Sequence, residues 1–511
     1  MTDRMSERFK ATYLSSVLLG LFAHLFAFTN VLKNHDNILR EGYGAGTASG
    51  RWFMNWLGDI ISEIWGNYNL PFWDGILGII LLPLAAYLVV LLFDIQDRTL
   101  CILWGGIFMA FPAVTSLMFY TYTVPYYALA VLMAVASVYF TDRYRFGWIA
   151  AVLLLACSMG IYQAYYPMAV GLFVTVLFIR SLTGKYSVKE AFTKAFTYLG
   201  VLAGAMVDYF IMLRISLSRS GIQLSTYKGI DKMGQISIQE IPDMLIRTYK
   251  EFLKIPFDDY YQMAATKIVA MMLIFLAVLS AGMIVWLVYK DRKKEFYRKW
   301  PAVIFLVLYP AAINSITLMC YHSKIYTLMI FSGVLIYLMP ILLLSEIEKN
   351  AGAEKKGKLF QWLRGLTGGA LCVVMLNYIW QANGNYTAMY YTNQQTYNYL
   401  NSFVTCVKQT EGFTTDMKWA LIGEKFRDQM FKNPWVDTPF WFGGNKKTLM
   451  NEYSRNSFIK QILGYEINWA ESEQIKELED MEEVISMPTY PNDGSVKIID
   501  DTIVIKLENV N

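Results

Sequence analysis

Charge is scarce in this chain of 511 residues: Asp, Glu, Lys and Arg together supply 17%, while hydrophobic residues supply 55%. An ordinary soluble domain carries about a quarter charged residues, so that class is excluded. Cysteine is thin as well, with five residues at 101, 157, 320, 372 and 406 and no CxxC pair. Most of them lie inside apolar runs, which speaks against a disulfide framework. Only three histidines occur, at 24, 35 and 322. No glycine-rich phosphate loop and no dinucleotide fingerprint is present, nor any nucleic-acid motif, and the net charge is only +4. Nucleic acid is therefore not an expected partner. Internal repeats, low-complexity tracts and Gly/Ser linkers are missing too.

What the chain does have is long apolar runs, with a mean hydropathy of +0.33. A membrane helix needs about twenty apolar residues. Runs of that length lie near 12–32, 73–93, 99–118, 121–140, 147–164, 166–182, 191–214, 264–289, 301–319, 324–344 and 360–381, which predicts eleven spans. The first follows a basic start, MTDRMSERFK, but has no small-residue cleavage site, so it reads as a retained span. YTYTVPYY and IYQAYYP separate neighbouring runs, and their Pro125 and Pro167 predict tight hairpins. Lys and Arg collect in cytoplasmic loops. With the N-terminus inside, 21 of them fall on inner segments, including KDRKKEFYRK at 290–299, whereas Lys33, Arg40, Arg51 and Lys324 lie between spans outside, with seven more in the long 214–262 loop. The bias predicts a multi-pass membrane protein of eleven spans, N-terminus cytoplasmic and C-terminus extracytoplasmic.

The expected architecture is an α-helical polytopic membrane domain over 1–381, with outer loops at 33–72 and 215–263, and a small extracytoplasmic α+β domain over 382–511. In the latter, KWALIGEKF reads as a strand, YSRNSFIKQILGYEI as a helix and VKIIDDTIVIKL as two strands around a turn; 382–400 reads as a helical connection.

Chemistry is sought in the outer segments. Asp36 stands four residues beyond the first run, where a carboxylate acts as general base on a sugar hydroxyl or holds a divalent cation; the bland alternative is a solvated helix end. The stretch GYGAGTASGRW follows, its glycines permitting sharp turns before Arg51. Residues 52–65 have helical spacing, with Asp59 and Glu63 on one side and Trp52, Trp56 and Trp65 as interfacial anchors. An arginine there grips a lipid phosphate or merely snorkels. Tyr162, Gln163, Tyr165 and Tyr166 suit a sugar face, or form an aromatic belt. His322 and Lys324 share a short turn, and Arg214 and Arg219 end the seventh run, all cations for a phosphate. A second interfacial helix is expected at 231–257, interrupted by Pro242 and followed by the acid pair Asp258 and Asp259.

HDN after the first span, SGRW about fifteen residues on, YQAYYP after a middle span and the ending MPTYPNDGSVKIIDDTIVIKL together resemble the bacterial GtrII-type glucosyltransferases, polytopic transferases of GT-C architecture. The resemblance implies transfer of a sugar, typically glucose, from a polyprenyl-phosphate carrier to an extracytoplasmic cell-surface glycan with inversion. It places a catalytic or metal-associated acid at Asp36; a divalent cation, magnesium or manganese, would sit there, although a paired DxD is absent. It also implies a companion flippase and a carrier-charging transferase. Two other classes compete: a transporter or flippase of lipid-linked sugars, which predicts charges within the spans and matched halves, and a scaffold whose tail binds glycan. The spans hold few charges, Asp208 and Lys267 among them, and no matched halves.

Overall fold

The computed structural model describes every residue except 1, 39–45, 68, 227–237, 259–260, 262, 264–265, 291–298, 321–323, 352–357, 424–451 and 510–511. Contacts divide the chain into a helical unit, Met1–Val31 with Arg40–Gly384, and a C-terminal unit, Leu32–Leu39 with Asn385–Asn511. Part of the first expected outer loop thus packs with the tail.

The helical unit contains α1 (Thr2–Thr29), α2 (Trp52–Trp65), α3 (Pro71–Phe93), α4 (Arg98–Ala110), α5 (Pro112–Met118), α6 (Val124–Arg143), α7 (Gly147–Ile161), α8 (Tyr166–Leu182) and α9 (Val188–Ser220). It continues with α10 (Ile241–Lys254), α11 (Lys267–Lys290), α12 (Trp300–Ile313), α13 (Ser315–Met319), α14 (Leu335–Ala351) and the start of α15 (Lys358–Lys408). Among the described residues eight helices are long and apolar enough to cross a membrane, and nine if α4 and α5, bent by 46°, form one span; α7 and α12 are shorter apolar helices. These helices are consistent with a membrane protein. The bend has a local cause. Pro112 opens α5 and lacks the N–H that would continue α4. The fully buried His24 meets the Met109 carbonyl beside the bend at 2.8 Å.

The predicted hairpin prolines each occupy the first turn of a helix, Pro125 in α6 and Pro167 in α8, behind a single 3-10 turn. There the fixed φ is pre-organised and no bond is lost. Pro242 does the same in α10, so it starts that amphipathic helix rather than interrupting it.

One end of the helical unit is sewn by ion pairs. Arg180 grips Asp142 through both carboxylate oxygens, and Tyr198 donates to the same carboxylate at 3.0 Å. Glu346 receives Lys185 at 2.7 Å and Lys349 at 2.9 Å, Arg8 meets Asp94 at 2.8 Å, and Arg364 meets Asp97 at 3.2 Å. These residues sit at alternate ends of consecutive helices in chain order, as an up-and-down bundle requires.

In the C-terminal unit, β1 (Lys418–Ile422) pairs parallel with β3 (Thr502–Lys506), which pairs antiparallel with β2 (Val496–Ile499), giving the order β1-β3-β2. Asp500 and Asp501 both have positive φ, 46° and 58°, the two-residue hairpin geometry that matches strand twist. The predicted strand, helix and strand pair are present, the helix as α16 (Glu452–Ile462). Residues 424–426 of the first strand reading lie outside the described residues. Two short helices, α17 (Ser472–Glu479) and α18 (Glu482–Ser486), were not legible beforehand. The expected connection at 382–400 is the middle of α15, a continuous helix of 51 residues. Its Leu400, Phe403 and Val407 are buried with Trp419, Phe458 and Ile503 in the core.

Candidate functional site

Opposite the ion pairs, the ends of α2, α6, α7 and α8 converge on Arg51. Its guanidinium carbon lies 5.1 Å from the Tyr162 ring centroid and 5.8 Å from that of Tyr127. The two rings stack at 4.6 Å and 11°, and Tyr165 closes edge-on at 5.8 Å from Tyr127 and 5.4 Å from Tyr162. Phe331, in the 3-10 turn before α14, meets Tyr165 edge-on at 5.8 Å. A cation over aromatic faces is held by their quadrupoles.

The backbone that carries Arg51 is fixed from two sides. Gln163 donates from Nε2 to the Ser49 carbonyl at 3.1 Å and to the Tyr209 hydroxyl at 2.9 Å, and Tyr209 donates to the Gly50 carbonyl at 3.1 Å. Gly50 has φ +74°, and a Cβ there would stand 2.4 Å from Gln163 Nε2 and 2.6 Å from the Tyr209 oxygen. Only glycine meets both requirements. Trp52 then packs over Gly160, where a Cβ would come within 2.6 Å of the indole.

Among the described residues, the hydroxyl of Tyr165, whose residue is 0% exposed, and the indole nitrogen of Trp52, 8% exposed, find no hydrogen-bond partner. An unmade bond of this kind costs about 1–3 kcal/mol, so donors left unsatisfied here suit a polar ligand.

The structure thus brings Arg51, Trp52, Tyr162, Gln163 and Tyr165 together. Trp52 departs from the expected anchor role: it is buried against α7, because its ring fills the space that Gly160 leaves, whereas Trp56 and Trp65 are exposed at 55% and 70%. Arg214 and Arg219 lie on exposed faces of α9, and Lys324 is exposed. His322 and Asp259 lie outside the described residues. Asp258 is paired with Lys254 at 3.3 Å as a local ion pair. Tyr127 and Tyr209 were missed; both are apolar-face residues of long helices, and only their neighbours in space mark them.

Asp36 belongs to the C-terminal unit. Asn34 Oδ1 accepts from the Asp36 and Asn37 amides at 3.0 and 2.9 Å, and Asn37 Oδ1 accepts from the Asn34 amide at 2.6 Å. This turn leaves the Asp36 side chain 45% exposed with His35 Nε2 3.7 Å from Oδ1. His35, which the sequence pattern did not single out, has its Nδ1 buried with no partner among the described residues. Burial lowers the pKa of the adjacent Lys33 ammonium. Among the described residues no three His, Cys, Asp or Glu side chains converge as a metal cage; a divalent cation at Asp36 would rest on that one carboxylate together with substrate phosphate oxygens.

No curated protein and no solved structure matches the chain. A family model does: that of glucosyl transferase GtrII, over residues 25–337. That match covers Asp36, Arg51 and the whole tyrosine cluster, and with more than half of its length inside it the chain belongs to the GtrII glucosyltransferase family.

Proposed function

We propose that this glucosyltransferase takes its sugar from a polyprenyl-phosphate carrier and passes it to an extracytoplasmic cell-surface glycan, inverting the anomeric carbon. The chain crosses a bacterial inner membrane eleven times, in the GT-C manner, with its N-terminus in the cytoplasm and its tail outside. Family membership carries the reading. The distribution of Lys and Arg supports the orientation, and Arg51, held on two tyrosine rings beside unsatisfied donors, supports the donor chemistry.

In this mechanism the acceptor hydroxyl oxygen attacks the anomeric carbon, Asp36 takes its proton, and the bond from that carbon to the phosphate oxygen breaks. The electron pair leaves with the phosphate, whose growing charge meets the Arg51 guanidinium. The Tyr165 hydroxyl and the Trp52 N–H donate to sugar oxygens. A flippase and a carrier-charging transferase work alongside it to supply the donor.

The test supplies radiolabelled glucosyl polyprenyl phosphate to the reconstituted chain and follows label into glycan. Transfer that survives replacement of Arg51 by Ala at the wild-type rate contradicts the donor assignment. Movement of the carrier without bond cleavage supports a flippase instead.

A further inference from the structure

A short segment separated from the tail by more than three hundred residues folds as part of it. Leu32–Leu39 groups with Asn385–Asn511, and two independent contacts fix it there. Ile38 is 0% exposed within the core of Leu400, Phe403, Val407, Trp419 and Ile503. The Asn393 side chain on α15 accepts from the Lys33 amide at 2.7 Å and donates to the Lys33 carbonyl at 2.9 Å, serving that residue as a neighbouring strand would. Asn34 and Asn37, each 1% exposed, close the turn around Asp36. Asp36 therefore sits between two clamps, Lys33 on one side and Ile38 on the other, both anchored in the C-terminal unit.

A base must stand within about 2.6–3.2 Å of the oxygen whose proton it removes. The hydroxyl that loses its proton has to come to whichever body carries Asp36. We propose that the C-terminal unit is the body that positions Asp36 and receives the acceptor glycan, with Asn393 and Ile38 as positioning residues. Tyr397, one helical turn beyond Asn393 on the same face of α15, is 40% exposed. Its ring and hydroxyl fit a sugar, with a flat apolar face for C–H groups and a polar edge for hydroxyls. This inference rests on the proposed role of Asp36 as base.

The test uses the full chain in liposomes, with glucosyl polyprenyl phosphate as donor and, as acceptor, glycan from cells that lack the protein. Asn393→Leu and Ile38→Ala should each lower kcat at least tenfold while the donor KM stays within twofold. Tyr397→Ala should raise the acceptor KM at least threefold and leave the donor KM unchanged. Leu478→Ala, which thins the second core cluster of the same unit without touching either clamp, should keep kcat within twofold. Wild-type kcat in both Asn393→Leu and Ile38→Ala, with Asp36→Asn inactive, overturns the positioning role. So does a loss expressed only in donor KM.

If Asp36→Asn transfers normally, the base assignment has failed, and thiol labelling then decides the clamp by itself. In Asp36→Cys, maleimide labelling at residue 36, read by peptide mass spectrometry, should rise at least threefold when Asn393→Leu is added. An unchanged labelling rate overturns the clamp.

Discussion

Replacing Gly50 by Ala is the sharpest probe of the Arg51 site, because it adds one methyl group where the structure leaves no room. With φ at +74° the backbone is left-handed, which costs a residue with a Cβ about 1–2 kcal/mol. The new Cβ also meets Gln163 Nε2 at 2.4 Å. The amide can retreat only by giving up its bonds to Ser49 and Tyr209, each worth about 1 kcal/mol net. The expected destabilisation is therefore about 3–4 kcal/mol, read by thermal unfolding of the detergent-solubilised chain. Arg51 follows directly in the chain, so transfer should fall as well, about tenfold for each 1.4 kcal/mol by which its placement is spoiled. A double-mutant cycle isolates the clash. Gly50→Ala combined with Gln163→Ala should be at least about 1 kcal/mol more stable than the sum of the singles, since the colliding group is gone. A neutral Gly50→Ala, or singles that simply add, would refute the geometry argued for this loop.

Three further expectations concern other parts of the helical unit. Arg180→Met leaves the 7% exposed Asp142 carboxylate without its cation and should cost about 3–5 kcal/mol in thermal unfolding, while transfer per folded molecule stays unchanged; an unaltered melting curve contradicts the role given to that pair. Gly160→Val drives a side chain into Trp52 and Phe53 and should lower both stability and transfer, whereas substitutions at the exposed Trp65 should spare transfer. Arg51→Lys keeps the charge but loses the planar fork and its stacking on Tyr127 and Tyr162, so donor KM should rise; an unchanged donor KM removes Arg51 from phosphate recognition.

The contrast between what was and was not readable follows from the physics of each signal. Apolar runs mark helices because a membrane span demands them over a fixed length, and among the described residues eight helices, or nine with the bent pair, reach that length, while two of the predicted runs carry shorter apolar helices. The strand pair at 496–506 was readable because its Asp-Asp turn interrupts alternating apolar residues. At the site, Arg51, Tyr162, Gln163 and Tyr165 were legible from a glycine-rich approach and a cluster of hydrogen-bonding aromatics. Their assembly was not, for Gln163 reaches Ser49 across 114 residues and no local pattern records such a pairing. Tyr209 looks like any lipid-facing tyrosine until its hydroxyl is seen on Gly50. The clamp on Asp36 was hidden for the same reason: Asn393 is one polar residue among many in NGNYTAMYYTNQQTYNYL, and only its partner, the Lys33 main chain, sets it apart. The ion-pair end was half visible. The cations were counted for orientation, but the carboxylates that bind them lie on other helices.

One comparison reaches the heart of the mechanism: glucose transfer from polyprenyl phosphate by the purified chain and by its Asp36→Asn variant, with donor binding measured alongside. Loss of a general base predicts a fall of about 10²–10⁴ in turnover with donor affinity intact. Turnover by Asp36→Asn at the wild-type rate, or a wild-type chain that leaves the glucosyl polyprenyl phosphate uncleaved, contradicts the account.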